Sequence, residues 1–165
     1  MRTKPGLLLA SVASAAALTI GVGTAMASGG AAAGGTCTYK LTNGTPGPSS
    51  TMSGHVKCSR PAGKGKSHFS YSQTVAPKGT SSLQLIYSGK FKNKFKHGSI
   101  KGTFKTSGTL IPPPTSTTFT MTGKFKVTGG TGKLRKAHGK GTMTCTSTDL
   151  TQHFTCTQVL TKGKL

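Results

Sequence analysis

The chain has 165 residues, with 22 Lys and Arg against a single acid, Asp149, for a formal net charge of +21. With no Glu anywhere, mechanisms that need paired carboxylates, such as two-carboxylate glycoside hydrolysis, are excluded, as are carboxylate cages for Ca²⁺ or Mg²⁺. The absence of Trp, the four Cys and the 24 Gly point to a secreted, turn-punctuated all-β protein, and the length suits one domain.

Arg2 and Lys4 form a basic start, Leu7 to Val22 is mostly apolar and small, and Ala25-Met26-Ala27 fits the small-x-small pattern that a signal peptidase cleaves. Residues 1–27 therefore read as a signal peptide with cleavage before Ser28, leaving +19 on an extracellular chain that could stay at the cell surface. The run from Gly6 to Val22 is short for a membrane span, and Lys, Gly, Ser or Thr interrupts every later apolar run. Residues 28–36 form a Gly/Ala-rich linker, and 37–165 form the domain. A second loose stretch, Thr45 to Ser50, carries Pro46 and Pro48.

Leu, Ile, Val and Phe supply only about 16% of the residues after position 27, which with the high charge resembles the composition of disordered chains. Periodicity decides otherwise. Phe119, Met121, Gly123, Phe125 and Val127 alternate with Thr118, Thr120, Thr122, Lys124 and Lys126, the period of a half-buried strand. Further strands are predicted at Cys37–Leu41, Thr51–Cys58, Ser67–Val75, Leu83–Gly89, Gly139–Cys145 and His153–Leu160. Between Lys90 and Thr106, His97-Gly98 reads as a two-residue hairpin turn. That turn would set Phe95 opposite Ile100, Asn93 opposite Gly102 and Phe91 opposite Phe104 on one face. On the other face it would oppose Lys94 to Lys101 and Lys90 to Lys105. Pro112-Pro113-Pro114 is a stiff connector. About eight antiparallel strands without a helix admit a β-barrel or a two-sheet sandwich. Inward Phe, Met and Gly suit a narrow barrel, since small inward residues relieve crowding where strands coil.

Phe125-Lys126-Val127-Thr128-Gly129-Gly130-Thr131-Gly132-Lys133-Leu134, followed by Ala137-His138-Gly139-Lys140-Gly141, resembles a strand-turn-strand segment of the allene oxide cyclase and dirigent β-barrels. Leu134 stands where that family usually has an aromatic residue. The resemblance implies an eight-stranded antiparallel barrel with an interior pocket. It carries over no activity, because the acids associated with dirigent function have no counterparts here. The glycines themselves read as a sharp turn and close strand packing.

Cys37 and Cys58 flank one predicted hairpin, and Cys145 and Cys156 flank another, so disulfides Cys37–Cys58 and Cys145–Cys156 are the favoured connectivity of three. The first pairing would also set Tyr39 opposite Val56 and Leu41 opposite Gly54. A metal site is disfavoured: His55 and Cys58, like His153 and Cys156, lie three apart and point to opposite faces of a strand. No cofactor is expected. Gly129 to Lys133 lacks the spacing and the Ser/Thr of a phosphate loop, and no nucleophile signature marks an enzyme.

The basic surface remains. Opposed lysines destabilise a hairpin, and one-signed charge adds repulsion across the whole molecule. An external polyanion would offset both, and the partners expected are anionic cell-wall polymer, lipid head groups or extracellular nucleic acid. The candidate binding residues are Lys90, Lys92, Lys94, Lys96, Lys101 and Lys105 on the hairpin. They continue into Lys124, Lys126, Lys133, Arg135, Lys136 and Lys140. Only Arg60 and Arg135 are Arg after position 27; Lys acts as a point charge, which favours non-specific attraction. The functional expectation is a secreted, non-catalytic polyanion binder. The alternative is a barrel that holds, or acts dirigent-like on, a small apolar ligand.

Overall fold

A computed structural model describes residues 34–44, 49–111 and 117–165. The predicted signal peptide 1–27, most of the predicted linker, residues 45–48 of the predicted loose stretch and Pro112-Pro113-Pro114, read as a connector, lie outside the described residues. Eight strands follow one another: β1 (Thr36–Asn43), β2 (Ser49–Cys58), β3 (Lys64–Pro77) and β4 (Leu83–Phe95). The second half comprises β5 (Gly98–Leu110), β6 (Phe119–Gly130), β7 (His138–Ser147) and β8 (His153–Lys164). One short 3₁₀ turn, Gly132–Leu134, joins β6 to β7. Each strand pairs antiparallel with the next and β8 pairs with β1, so the sheet closes into a barrel and not a sandwich. Among the described residues no helix is long and apolar enough to cross a membrane.

Alternation decides which side chains fill the barrel. On β6, Phe119, Met121, Phe125 and Val127 are buried while Thr120, Thr122, Lys124 and Lys126 are exposed, and the other strands repeat the pattern. The outer wall is polar and the interior apolar, the reverse of a barrel that faces lipid. Phe69 packs its ring against Tyr39, Phe91 and Phe104 at centroid distances of 5.6, 5.7 and 5.2 Å. Toward the other end of the barrel, Tyr87 meets Tyr71, Phe119 and Phe154 at 5.3, 6.3 and 6.5 Å. Edge-on and tilted arrangements at these separations suit the ring quadrupole.

Inward glycines let so narrow a barrel coil. A Cβ on Gly54 would overlap the Lys40 carbonyl, and one on Gly123 would overlap the Lys105 carbonyl, so adjacent backbones approach there as no larger residue permits. Gly102 lies under the Phe91 ring, its cross-strand partner, and gives that ring its space.

Disulfides join Cys37 to Cys58 and Cys145 to Cys156, each across a directly opposed pair. The β1–β2 register opposes Tyr39 to Val56 and Leu41 to Gly54, as the cysteine spacing predicts.

Four expectations need correction. The turn between β4 and β5 is Lys96-His97, and Gly98 already pairs with Phe95. All partners shift by two residues: Asn93 faces Ile100, Phe91 faces Gly102, Lys90 faces Thr103 and Lys94 faces Ser99. An even shift leaves every residue on its predicted face. The cause lies outside the hairpin: a Cβ at Gly98 would overlap the Thr131 carbonyl, so the glycine serves the β6–β7 connection and not its own turn. Second, Leu83–Gly89 and the first hairpin strand are one strand, β4, because Gly89 keeps its ladder partners Tyr71 and Phe104 on both sides. Third, β1 starts at Thr36, and the Gly35 carbonyl accepts the Leu160 amide at 3.0 Å, so the linker ends two residues early. Last, Ser49 and Ser50 belong to β2 rather than to the loose stretch.

Candidate functional site

Outward positions on adjacent strands of a barrel line up in rows across the sheet, with neighbouring Cβ atoms about 5 Å apart. Here those rows are cationic. Lys40, His55, Lys66 and Lys94 are successive partners across β1 to β4. In the next row His68 faces Lys92, which faces Lys101. A third row runs from Lys90 through Thr103, Lys126 and Lys140 to Lys162 on β8. Lys105 faces Lys124 rather than Lys90, and Lys57 faces Lys64. All these lysines are exposed.

The predicted lysines divide between wall and rim. Lys90, Lys92, Lys94, Lys101, Lys105, Lys124, Lys126 and Lys140 stand on the wall. Lys96 sits in the β4–β5 turn. Lys133, Arg135 and Lys136 surround the 3₁₀ turn, where buried Leu134 and Ala137 hold the segment down. That segment caps the neighbouring hairpin: the Lys133 amide donates to the His97 carbonyl at 2.8 Å and the Thr131 amide to the Ser99 carbonyl at 2.9 Å. Gly132 adopts φ +59° there, and a Cβ on it would overlap the His97 carbonyl, so the glycine-rich motif serves a tight turn and close packing.

Sequence reasoning missed Lys40, Lys57, Lys64, Lys66, Lys162 and Lys164, which complete the ring. From residue 34 onward every Lys and Arg except Lys78 lies toward the rim that carries the β2–β3, β4–β5 and β6–β7 turns or, as with Lys40, Lys105 and Lys124, at the barrel's waist. The signal is present in the chain: apart from the mid-strand Lys40, Lys105 and Lys124, strand lysines fall late in even-numbered strands and early in odd-numbered ones. It becomes readable only with the topology, since antiparallel order puts those strand ends together.

The lone acid stands at the opposite rim, between β7 and β8. The Asp149 carboxylate accepts the backbone N–H of His153 at 2.9 Å, the His153 ring at 2.5 Å and the Ser147 hydroxyl at 2.7 Å. These bonds hold its carboxyl well below the usual range, the His153 backbone N–H contributing most. The order is not that of a nucleophilic triad, because Ser147 bonds to the carboxylate and not to the imidazole. This cluster clamps a turn.

Inside the barrel, Tyr39 donates to Gln158 Oε1 at 2.6 Å and accepts from Asn93 Nδ2 at 3.0 Å, while Ser67 donates to Asn93 Oδ1 at 2.6 Å. Burial pushes the Tyr39 and Tyr87 hydroxyls well above the ordinary phenol range. The buried Tyr87 hydroxyl has no hydrogen-bond partner among the described residues. The four sulfurs are committed to disulfides, and exposed His55 points away from buried Cys58.

Two clefts on the lysine-bearing half open to the outer wall. One, of about 500 Å³, lies between Lys105, Lys124, Lys126 and Lys140 and includes the hydroxyl-bearing Thr103, Thr142 and Thr161. The other, of about 650 Å³, is bounded by His55, Lys66, His68, Lys92 and Lys94. Both are edged by N–H and O–H donors and by no carboxylate, a setting suited to anionic groups. No family model, curated protein or solved structure matches the chain.

Proposed function

We propose that the protein is a non-catalytic binder of anionic polymer, exported from the cell and engaging cell-wall polymer, lipid head groups or extracellular nucleic acid through its lysines. The carrying observation is direct like-charge opposition: Lys66 to Lys94, Lys92 to Lys101, Lys105 to Lys124, and Lys140 to both Lys126 and Lys162. Such pairs cost a fold stability unless something external neutralises them. Lysine point charges, with almost no arginine forks, suit generic attraction to phosphate, sulfate or carboxylate over recognition of one sequence. Export accords with the leader-like start and with two disulfides, which persist in oxidising compartments.

The test is affinity of the chain from Ser28 onward for anionic cell-wall polymer, anionic vesicles and duplex DNA across a salt series. Counterion release predicts a steep fall in affinity with salt for all three and loss of binding when Lys92, Lys101, Lys126 and Lys140 become Gln. Unchanged affinity in that variant would overturn the reading. One observation favours a small-ligand barrel of the kind the family resemblance implies, the unpartnered Tyr87 hydroxyl. The rings packed about it leave that reading second. Uptake of an apolar fluorescent probe by the folded protein would restore it.

A further inference from the structure

The lysine rows do not form a face. They encircle the barrel, each of the eight strands carrying at least one lysine on this half. In a closed barrel of eight strands, β4 and β8 lie four strands apart in either direction, so they occupy opposite flanks, as do β3 and β7. Lys90 and Lys92 on β4 thus point away from Lys162 on β8, and Lys66 on β3 points away from Lys140 on β7. A stiff polyanion laid against a convex wall reaches one flank and leaves the other free. The free flank keeps its own stacked lysines, and no carboxylate side chain lies nearby to neutralise them.

Resting on the polyanion reading above, we infer that one molecule holds two separate strands of linear polyanion, one on each flank, and so cross-links them. A monomer suffices, because the two binding flanks are opposite sides of one barrel. Linear polymer fits better than a flat bilayer: the stacked pairs lie around the side wall, where a strand can run along each flank, whereas a flat surface would meet a flank along one line only.

The test uses DNA duplexes of about 20 base pairs, too stiff to wrap the barrel given a persistence length of about 150 base pairs. Donor-labelled and acceptor-labelled duplexes are mixed with the protein, and energy transfer is read alongside sedimentation mass. The expected result is a complex of one protein with two duplexes that transfers energy. Converting Lys90, Lys92 and Lys94 to Gln should abolish transfer while one duplex still binds, and converting Lys126, Lys140 and Lys162 should do the same from the other flank. Saturation at one duplex without transfer would overturn the cross-linking inference and leave the polyanion reading standing. Transfer undiminished in both variants would also overturn it. Failure to bind any duplex or cell-wall polymer would overturn both.

Discussion

Lys92 and Lys101 face each other across β4 and β5 as direct cross-strand partners, with His68 on the other side of Lys92. Lys101→Glu converts this opposition into an ion pair. Stability at low salt should rise by about 0.5 to 1 kcal/mol, and the gain should shrink as salt screens the pair. Polyanion affinity should fall in the same variant. Chemical denaturation at two salt concentrations, with a binding curve at each, checks both signs; equal low-salt stability would contradict the first.

Two buried phenols should respond differently to loss of their hydroxyls. Tyr39→Phe strips Gln158 and Asn93 of a shared partner and should cost about 1 to 3 kcal/mol. Tyr87→Phe removes a hydroxyl without a partner among the described residues and should be neutral or stabilising. Urea unfolding of the two variants side by side makes the comparison.

Asp149 supplies a clean pH test, being the only acidic side chain in the chain. Its folded-state pKa is depressed below the ordinary 3.8. The stability it contributes is therefore present above pH 3.8 and drains away as pH falls below that value toward the folded-state pKa. The difference in Tm between the protein and Asp149→Asn should narrow as pH falls below about 4 toward the folded-state pKa. A gap that widens in acid would refute the clamp.

Gly132→Ala places a Cβ against the His97 carbonyl at a residue with φ +59°. A cost of at least about 1 to 2 kcal/mol is expected from the backbone conformation alone. Native-state hydrogen exchange should show the Lys133 and Thr131 amides, which bond to the β4–β5 hairpin, losing protection before the strands do.

Strand faces were legible because alternation is local: Phe119 to Val127 can be read residue by residue, and the cysteines pinned the β1–β2 register. The β4–β5 register was not, because Gly98 answers to Thr131, more than thirty residues later. Gly89 looked like a break because a glycine that ends a strand and one that lets a neighbouring backbone approach, as Ser70 does here, leave the same mark in sequence. The lysine ring was half legible. Lys90 to Lys105 are neighbours in sequence, whereas Lys40 and Lys162 join them only through successive strand pairings, and barrel closure turns the rows into a ring.

That closure also governs how the molecule comes to exist. The β1–β8 pairing brings Thr36–Thr42 against His153–Val159, contacts more than a hundred residues apart in sequence. Loops so long make the final pairing a late and slow folding event. Until it happens, β1 and β8 each present a bare row of amides and carbonyls, the usual template for strand-by-strand aggregation. Mutual repulsion among unfinished copies, all strongly positive, is a kinetic safeguard for that interval, and it works whether or not a polyanion is near.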